Sequence, residues 1–306
     1  MDPTKRTSLV EGEDFAVMQR KLHSLEGIVA MCALVFVLVL SVGFAQAGEP
    51  RAEFKKIALR SSSALVQDAE TGEVVYDKNA ETVVPIASIT KLMTAMVVLD
   101  RGLDLDEKIT LSREDAVQMK GARSRLRTGL SLTRRELLLI ALMSSENRAA
   151  AALGQSYPGG LEAFVDAMNA KAALLDMTES RFVEPTGLSP ANVSTASDLA
   201  KMVRAAYEYP LIREFSTTSR ATVKASGRSL QYANTNGLVR SSYWEIGLSK
   251  TGYISEAGRC LVMHVRLASK DLIVVLLDSW GKQSRIADAN RIRKWLEMST
   301  KSSQRT

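Results

Sequence analysis

The sequence predicts an α+β fold, because strand patterns at both ends of the chain enclose a helical middle and no repeat or low-complexity linker divides residues 48–306. Residues 63–76 are typical of two short strands around a turn at Gly72, which predicts a hairpin. Three further strands are predicted from Ile246 onward. We therefore expect the two ends of the chain to share one sheet.

Helical periodicity dominates the middle of the chain. One helix is predicted from Ser88, a second opens with a capping box at Thr133, and an alanine-rich third begins after Asn147. Two more are predicted after Gly160 and after a cap at Thr195.

The rest of the chain carries weaker signals. A polar stretch after Tyr207 contains Asn234 and Gly237, and no helix or strand is predicted there. Apolar residues at helical spacing from Ile286 to Leu296 predict a final helix. This pattern favours packing on the sheet over binding to a membrane surface.

An uncharged apolar run at residues 28–44 follows basic residues and precedes an Ala-Gln-Ala sequence. This order is typical of a secretory signal peptide, so we expect residues 1–47 to be an n-region and signal peptide that is cleaved after Ala47. Residues 48–306 are then a single exported catalytic domain. The alternatives are an uncleaved membrane anchor and a true start at Met18.

The charge of the chain argues against one broad class of function. The net charge is +6, but the positive residues are scattered and aromatic residues make up only 6% of the chain. This pattern does not favour nucleic-acid binding. An exported basic protein instead meets the anionic polymers of a cell wall.

Cysteine and histidine usage excludes further classes. Cys32 leaves with the signal peptide, so Cys260 is alone and no disulfide is expected within the mature chain. His264 is then the single histidine, which disfavours a metal site and a histidine-based triad. We interpret both residues as core residues, and we predict neither a metal nor a cofactor.

Ser88 and Lys91 lie three residues apart at the start of a predicted helix, so both side chains project from one face. A lysine held neutral by burial or by a neighbouring cation can take the proton of a serine hydroxyl. We therefore predict Ser88 as the acyl-ester nucleophile and Lys91 as its general base. The backbone N–H groups of Ser88 and of Tyr253 are predicted to form the oxyanion hole.

Two later motifs follow in order, and the three together are specific where each alone is weak. Ser145 and Asn147 lie at a break between helices, where the hydroxyl can relay a proton and the amide can hold the substrate backbone. Lys250 and Thr251, on a predicted strand, offer a cation and a hydroxyl to a substrate carboxylate. Gly252 leaves the strand edge unobstructed for a substrate.

In this order the motifs resemble those of the penicillin-recognising serine DD-peptidases and the class A β-lactamases over nearly all of residues 60–298. More closely, PIASITKLMTAMVVLD, IALMSSENRAAAAL, RFVEPTGLS and LSKTGY are similar to D-alanyl-D-alanine endopeptidases of the penicillin-binding protein 7 type. The resemblance implies a β-lactamase/transpeptidase-like fold. This fold has an antiparallel sheet flanked by helices, an inserted helical subdomain, and the motifs in the cleft between them.

The resemblance also implies a function. It indicates a periplasmic serine DD-endopeptidase of cell-wall remodelling that hydrolyses D-alanyl to meso-diaminopimelate crosslinks in peptidoglycan, with β-lactams as covalent inhibitors. Only 54 residues follow Gly252, too few for the β-rich C-terminal domain of the family's carboxypeptidase branch. A D-alanyl-D-alanine carboxypeptidase, a β-lactamase and a noncatalytic wall-binding module are the alternatives. Loose membrane association is compatible with the sequence, which predicts no oligomeric state or protein partner.

Glu184 precedes Pro185, and this pair is similar to the Glu-Pro of the class A β-lactamase loop, where the carboxylate activates the deacylating water. The next residues, Thr186, Gly187 and Leu188, match the DD-peptidase pattern instead. We therefore expect Glu184 to be a solvated carboxylate in a turn before proline.

Overall fold

The computed structural model describes residues 57–117, 122–225 and 227–303. Its strands are β1 (Ser61–Asp68), β2 (Val74–Lys78), β3 (Val84–Pro85), β4 (Lys108–Thr110), β5 (Ser131–Thr133), β6 (Val193–Ser194), β7 (Arg220–Ala225), β8 (Arg228–Ala233), β9 (Glu245–Ile254), β10 (Gly258–Leu267) and β11 (Lys270–Ser279). Five of them form an antiparallel sheet in the order β2-β1-β11-β10-β9. The predicted signal peptide and its cleavage site lie outside the described residues.

The helices pack against this sheet and against one another. They are α1 (Thr90–Asp100), α2 (Arg113–Val117), α3 (Arg134–Met143), α4 (Asn147–Gln155), α5 (Gly160–Leu174), α6 (Ala196–Tyr207), α7 (Pro210–Thr217) and α8 (Ser284–Ser303). In this part of the chain, no helix is both long and apolar enough to span a bilayer.

The two ends of the chain share one sheet, as predicted, because β1 pairs with β11 and places Val66 opposite Val274. Successive side chains of these strands enter different apolar clusters. Val275 packs with the central helices on one face, whereas Val274 packs with α8 on the other. Both faces of β10 and β11 are covered, which matches their almost continuous run of apolar residues.

The last helix packs on the sheet, as its spacing predicted. Ala289, Ile292 and Leu296 are buried in the same cluster as the strand residues of that face. A buried polar contact adds to this packing, since the Asp288 carboxylate accepts hydrogen bonds from the backbone and side chain of Ser61 at 2.7 and 2.8 Å. Helix α8 is therefore tied to the first strand of the sheet.

Helix α3 begins where the sequence predicted. The Thr133 hydroxyl accepts a hydrogen bond from the Glu136 backbone, and the Glu136 carboxylate accepts one from the Thr133 backbone, which completes the capping box. Helix α3 then ends at Met143 and α4 begins at Asn147, so the break between them carries the second motif.

The polar stretch after Tyr207 contains elements that the sequence analysis missed. Helix α7 begins with Pro210 in its first turn, where proline requires no N–H partner. It is followed by the hairpin of β7 and β8, in which Gly227 has a φ of 74°. These elements are short and mostly polar on the outside, so periodicity over a longer window does not show them.

Candidate active site

Ser88 lies in a short 3₁₀ turn, Ala87–Ile89, that joins β3 to α1. The sequence predicted an α-helix from Ser88, but the regular helix begins two residues later at Thr90. Ala87 has a φ of 48°, a backbone conformation that costs free energy for any residue with a side chain. The strained residue turns the chain just before the serine, whose side chain is nearly buried.

Lys91 lies one helical turn after Ser88, and its Nζ is 2.9 Å from the Ser88 Oγ, as the motif predicted. The amine also donates hydrogen bonds to the Asn147 Oδ1 at 2.8 Å and to the backbone carbonyl of Thr186. Burial lowers the pKa of Lys91 to about 8, and the negative charge of Glu184 opposes this only in part. The neutral amine has two protons for these two acceptors, so its lone pair is free for the serine proton.

The second motif lies at the break between α3 and α4 and contacts the first motif. Ser145 has a φ of 60°, and the following Glu146 caps α4 by accepting a hydrogen bond from the Ala149 backbone at 2.8 Å. This local geometry directs the Asn147 side chain to Lys91, and the amide oxygen accepts a hydrogen bond from the Lys91 amine. The sequence analysis expected this amide to bind the substrate backbone instead. Ser145 contacts the other lysine of the site, since its Oγ accepts a hydrogen bond from Lys250 at 2.8 Å.

Lys250 and Thr251 lie on β9, at the edge of the five-stranded sheet. Burial lowers the pKa of Lys250 well below its ordinary value, and the positive charges of Lys91 and Arg285 lower it further. The Thr251 hydroxyl donates to the Thr235 hydroxyl at 2.7 Å. The third motif therefore contacts the second through a buried lysine.

Gly252 and Gly187 pack against the turn that carries the nucleophile. A Cβ atom on Gly252 would lie 2.9 Å from the Ile86 carbonyl oxygen and 3.1 Å from the Ser88 nitrogen. A Cβ atom on Gly187 would lie 2.0 Å from the Ala87 carbonyl oxygen, and Gly187 has a φ of 76°. Both positions need glycine because another backbone approaches closely, a reason the sequence analysis did not give for Gly252.

The expectation of a solvated Glu184 is wrong, because only 6% of this residue is exposed. Its carboxylate accepts hydrogen bonds from the backbone N–H groups of Thr186, Gly187 and Ser189 at 2.6, 2.7 and 3.2 Å. It also accepts from the Asn192 amide at 3.1 Å. The turn before proline folds inward around its own acidic side chain, since these donors replace the water that a buried carboxylate loses.

This Glu184 loop, residues 184–189, is fixed to α1 on the side of the base. The Thr94 hydroxyl donates to the Pro185 carbonyl at 2.7 Å, and the Asn192 amide donates to the Thr90 hydroxyl at 3.1 Å. These contacts hold the Thr186 carbonyl against Lys91. Sequence reasoning missed this functional group because it is a backbone atom.

Arg285 is a second group that the sequence analysis missed. It lies at the start of α8, and its Nη1 donates to the carbonyls of Gly252 at 2.9 Å and Cys260 at 3.3 Å. Burial lowers the pKa of this arginine. A positive charge therefore supports the third motif from behind the strand, although no local pattern links the two segments.

The remaining predicted residues are placed as follows. Tyr253 follows Gly252 on the edge strand, with the Arg259 guanidinium 4.4 Å from its ring, and its role in an oxyanion hole stays a prediction. Cys260 and His264 are buried core residues, as predicted, and the His264 ring stacks on Tyr207 at 3.6 Å. Among the described residues, no group of histidine, cysteine and acidic side chains is placed to hold a metal ion.

The Ser88 hydroxyl lies beside a buried lysine, next to the edge strand of an antiparallel sheet. This arrangement defines the class of serine acyl-transfer enzymes that use lysine as the base. The chain belongs to the D-alanyl-D-alanine carboxypeptidase family of peptidases, whose sequence model matches residues 49–281. The predicted recognition and the predicted enzyme class are thus confirmed.

Two curated relatives are similar over most of the chain. A D-alanyl-D-alanine endopeptidase of Pseudomonas aeruginosa is 53% identical over 241 residues, which are 78% of each chain. A D-alanyl-D-alanine endopeptidase of Escherichia coli is 48% identical over 270 residues, which are 85% of this chain and 86% of the relative.

Solved structures confirm the predicted fold. A Streptomyces DD-transpeptidase superposes with a TM-score of 0.74 at 31% identity and covers 79% of this chain and 98% of its own. A D-alanyl-D-alanine carboxypeptidase from Mycobacterium tuberculosis has a TM-score of 0.72 at 26% identity, covering 80% and 94%.

Proposed function

We propose that this protein is a serine DD-endopeptidase that hydrolyses D-alanyl to meso-diaminopimelate crosslinks of peptidoglycan through an acyl-enzyme on Ser88. The observation that carries the proposal is the buried Lys91 amine, 2.9 Å from the Ser88 hydroxyl and bound by two acceptors that carry no charge. The two relatives named D-alanyl-D-alanine endopeptidases support the proposal that the hydrolysed bond is an internal D-alanyl bond.

Acylation begins when the Ser88 Oγ attacks the D-alanyl carbonyl carbon and gives its proton to the neutral Lys91 amine. A C–O ester bond forms and the C–N bond to the leaving amine breaks. The leaving amine takes up the proton that Lys91 received, with Ser145 as the relay. The Lys250 amine, which donates to the Ser145 Oγ, orients the hydroxyl so that the Ser145 proton is available to the leaving amine.

Deacylation uses the same residues in the reverse sense. Water attacks the ester carbon, Lys91 accepts the proton of the water, and Ser88 recovers a proton as the acyl group leaves. The Glu184 carboxylate does not take part as a base, because its oxygens already accept hydrogen bonds from the backbone of its own loop. Lys91 is thus the base in both steps.

The position of β9 at the edge of the sheet supports the proposed binding of an extended peptide. This strand ends the order of the sheet, so a peptide substrate can align along it and form backbone hydrogen bonds. Lys250, Thr251 and Gly252 lie on the same strand and bring the peptide past Ser88. The same geometry suits a β-lactam, whose amide carbonyl would acylate Ser88.

A D-alanyl-D-alanine carboxypeptidase is the second candidate. Lys250 and Thr251 are neighbours on β9 and offer an amine and a hydroxyl, which suits the terminal carboxylate of a pentapeptide stem. Both activities share the acyl-enzyme, so the difference lies in whether the site accepts a second stem peptide as the leaving group.

One experiment separates the two candidates. The purified protein is given a crosslinked muropeptide dimer and a pentapeptide monomer, and the products are followed by mass spectrometry with Ser88→Ala as the control. We expect the dimer to yield monomers and the Ser88→Ala variant to yield none. Loss of only the terminal D-alanine from the monomer would establish a carboxypeptidase, and no Ser88-dependent product would support a noncatalytic binding module.

We also propose that the protein acts in the periplasm, because the apolar run at residues 28–44 and Ala47 fit an export signal. Cell fractionation followed by N-terminal sequencing tests this. A periplasmic protein that begins at Gly48 supports it, and a full-length protein held in the membrane fraction supports the anchor.

A further inference from the structure

We infer that arginines on one wall of the active-site cleft form a subsite for carboxylates of a stem peptide of the crosslinked substrate. This inference rests on the proposed endopeptidase function and names how the second stem is recognised. A cleft of about 550 Å³ is lined by Ser145 and Asn147 of the second motif together with Arg123, Arg125 and Tyr232. Two exposed guanidinium groups therefore share a cleft with the second motif.

Arg125 is held in place at the wall of this cleft. Its guanidinium lies 4.0 Å from the centre of the Tyr232 ring, and its Nη1 donates to the backbone carbonyl of Gln231. Tyr232 is itself buried. A stacked arginine has fewer conformations to lose on binding, so it suits bidentate recognition of a carboxylate.

The basic surface continues beyond the first cleft. Arg125 also lines a second cleft of about 310 Å³ together with Arg127 and Arg228. Within the described residues, none of these arginines or Arg123 forms an ion pair with a carboxylate. Four arginines thus line two clefts that share Arg125, and we refer to them together as the basic path.

The acidic group nearest to this path is already engaged. Glu146 lines the first cleft, but it is nearly buried and its carboxylate accepts hydrogen bonds from the Ser124 hydroxyl and the Ala149 backbone. Among the described residues it forms no ion pair with Arg123 or Arg125, and its single negative charge leaves the two guanidinium groups of this cleft in excess. The path presents net positive charge to whatever ligand enters it.

The chemistry of the substrate matches this path. The leaving group in crosslink hydrolysis is a whole stem peptide with carboxylates of its own, whereas the leaving group of a carboxypeptidase is a single D-alanine. Lys250 and Thr251 suit the carboxylate nearest to the scissile bond. The arginines can bind carboxylates further along the chain with bidentate, charge-assisted hydrogen bonds.

The test compares a crosslinked muropeptide dimer with the same dimer after amidation of its diaminopimelate carboxylates. In the Arg123→Gln/Arg125→Gln double variant, we expect the KM for the free dimer to rise about tenfold to a hundredfold. The KM for the amidated dimer should change by less than about threefold. Arg125→Lys should recover only part of the loss, because lysine keeps the charge but not the planar fork.

Arg220→Gln is the matched control, since Arg220 is an exposed arginine on β7 that lines neither cleft. It should bind both dimers as the unsubstituted protein does. An equal loss on the free and amidated dimers, or no change with the free dimer, would overturn the subsite. A protein that cleaves neither dimer before any substitution would instead refute the endopeptidase function.

Discussion

Two buried lysines serve the site in different ways. Burial lowers the pKa of both Lys91 and Lys250, yet their partners differ. Lys91 contacts the nucleophile and two fixed acceptors, whereas Lys250 contacts the Ser145 hydroxyl and the carbonyl of Thr251 on its own strand. Burial alone therefore does not define a catalytic base. The contacts support the proposal that Lys91 receives a proton and that Lys250 orients a hydroxyl.

Lys91→Met gives the largest expected effect. The variant keeps the length of the side chain but removes the base, so we expect acylation by a labelled penicillin to slow by about 10³-fold. Stopped-flow or gel-based labelling measures this rate. Lys224→Met is the control because Lys224 is exposed on β7, and a Lys91→Met variant within tenfold of the control would contradict the assignment.

Lys250→Met should have a smaller effect. It removes the donor that orients Ser145 but leaves the contact between Ser88 and Lys91 intact, so acylation should slow by about 10²-fold. A loss as large as that of Lys91→Met would show that the two lysines act as one unit and would contradict their separate roles.

Gly187→Ala tests the packing around the nucleophile. The new methyl group would meet the Ala87 carbonyl carbon at 2.3 Å, so the turn that carries Ser88 must move. A displacement of that kind is expected to slow acylation by about 10²-fold or somewhat less. Gly129→Ala is the control, because Gly129 has a similar φ of 83° but nothing within 4 Å. Equal losses in both variants would assign the effect to backbone strain.

Glu184→Gln should have the smallest effect on rate, about tenfold, because the amide keeps one acceptor oxygen for the loop. Its diagnostic effect is on pH dependence. The Glu184 charge raises the pKa of Lys91, so its removal should shift the Lys91 limb of the pH–rate profile to lower pH. Glu162→Gln, at an exposed position on α5, should leave the limb in place. A shift to higher pH would contradict this reading.

The parts of the site that the sequence predicted are those whose chemistry lies in side chains close in sequence. Ser88 and Lys91 are one helical turn apart, and the capping box joins Thr133 to Glu136 three positions later, so local geometry fixes each pair. The late strands of the shared sheet were also predictable, because runs of apolar residues define β10 and β11.

The missed parts depend on distant segments. The Thr186 carbonyl carries no sequence signal because every residue has one, and its contact with Lys91 joins positions 95 residues apart. Glu184 was expected to be exposed because a Glu-Pro pair favours turns, but backbone donors that only the folded loop provides outweigh that preference. Likewise, the pairing of Ser145 with Lys250 depends on how β9 meets the break after α3.

The pH profile of penicillin acylation tests the central claim most directly, namely that a neutral Lys91 is the base. Because the pKa of Lys91 is lowered to about 8, the neutral fraction increases about tenfold per pH unit below that value. The acylation rate should therefore increase with pH and level off above about 8. A rate that is flat through this range, or that still increases up to the ordinary lysine value of 10.5, would contradict the account.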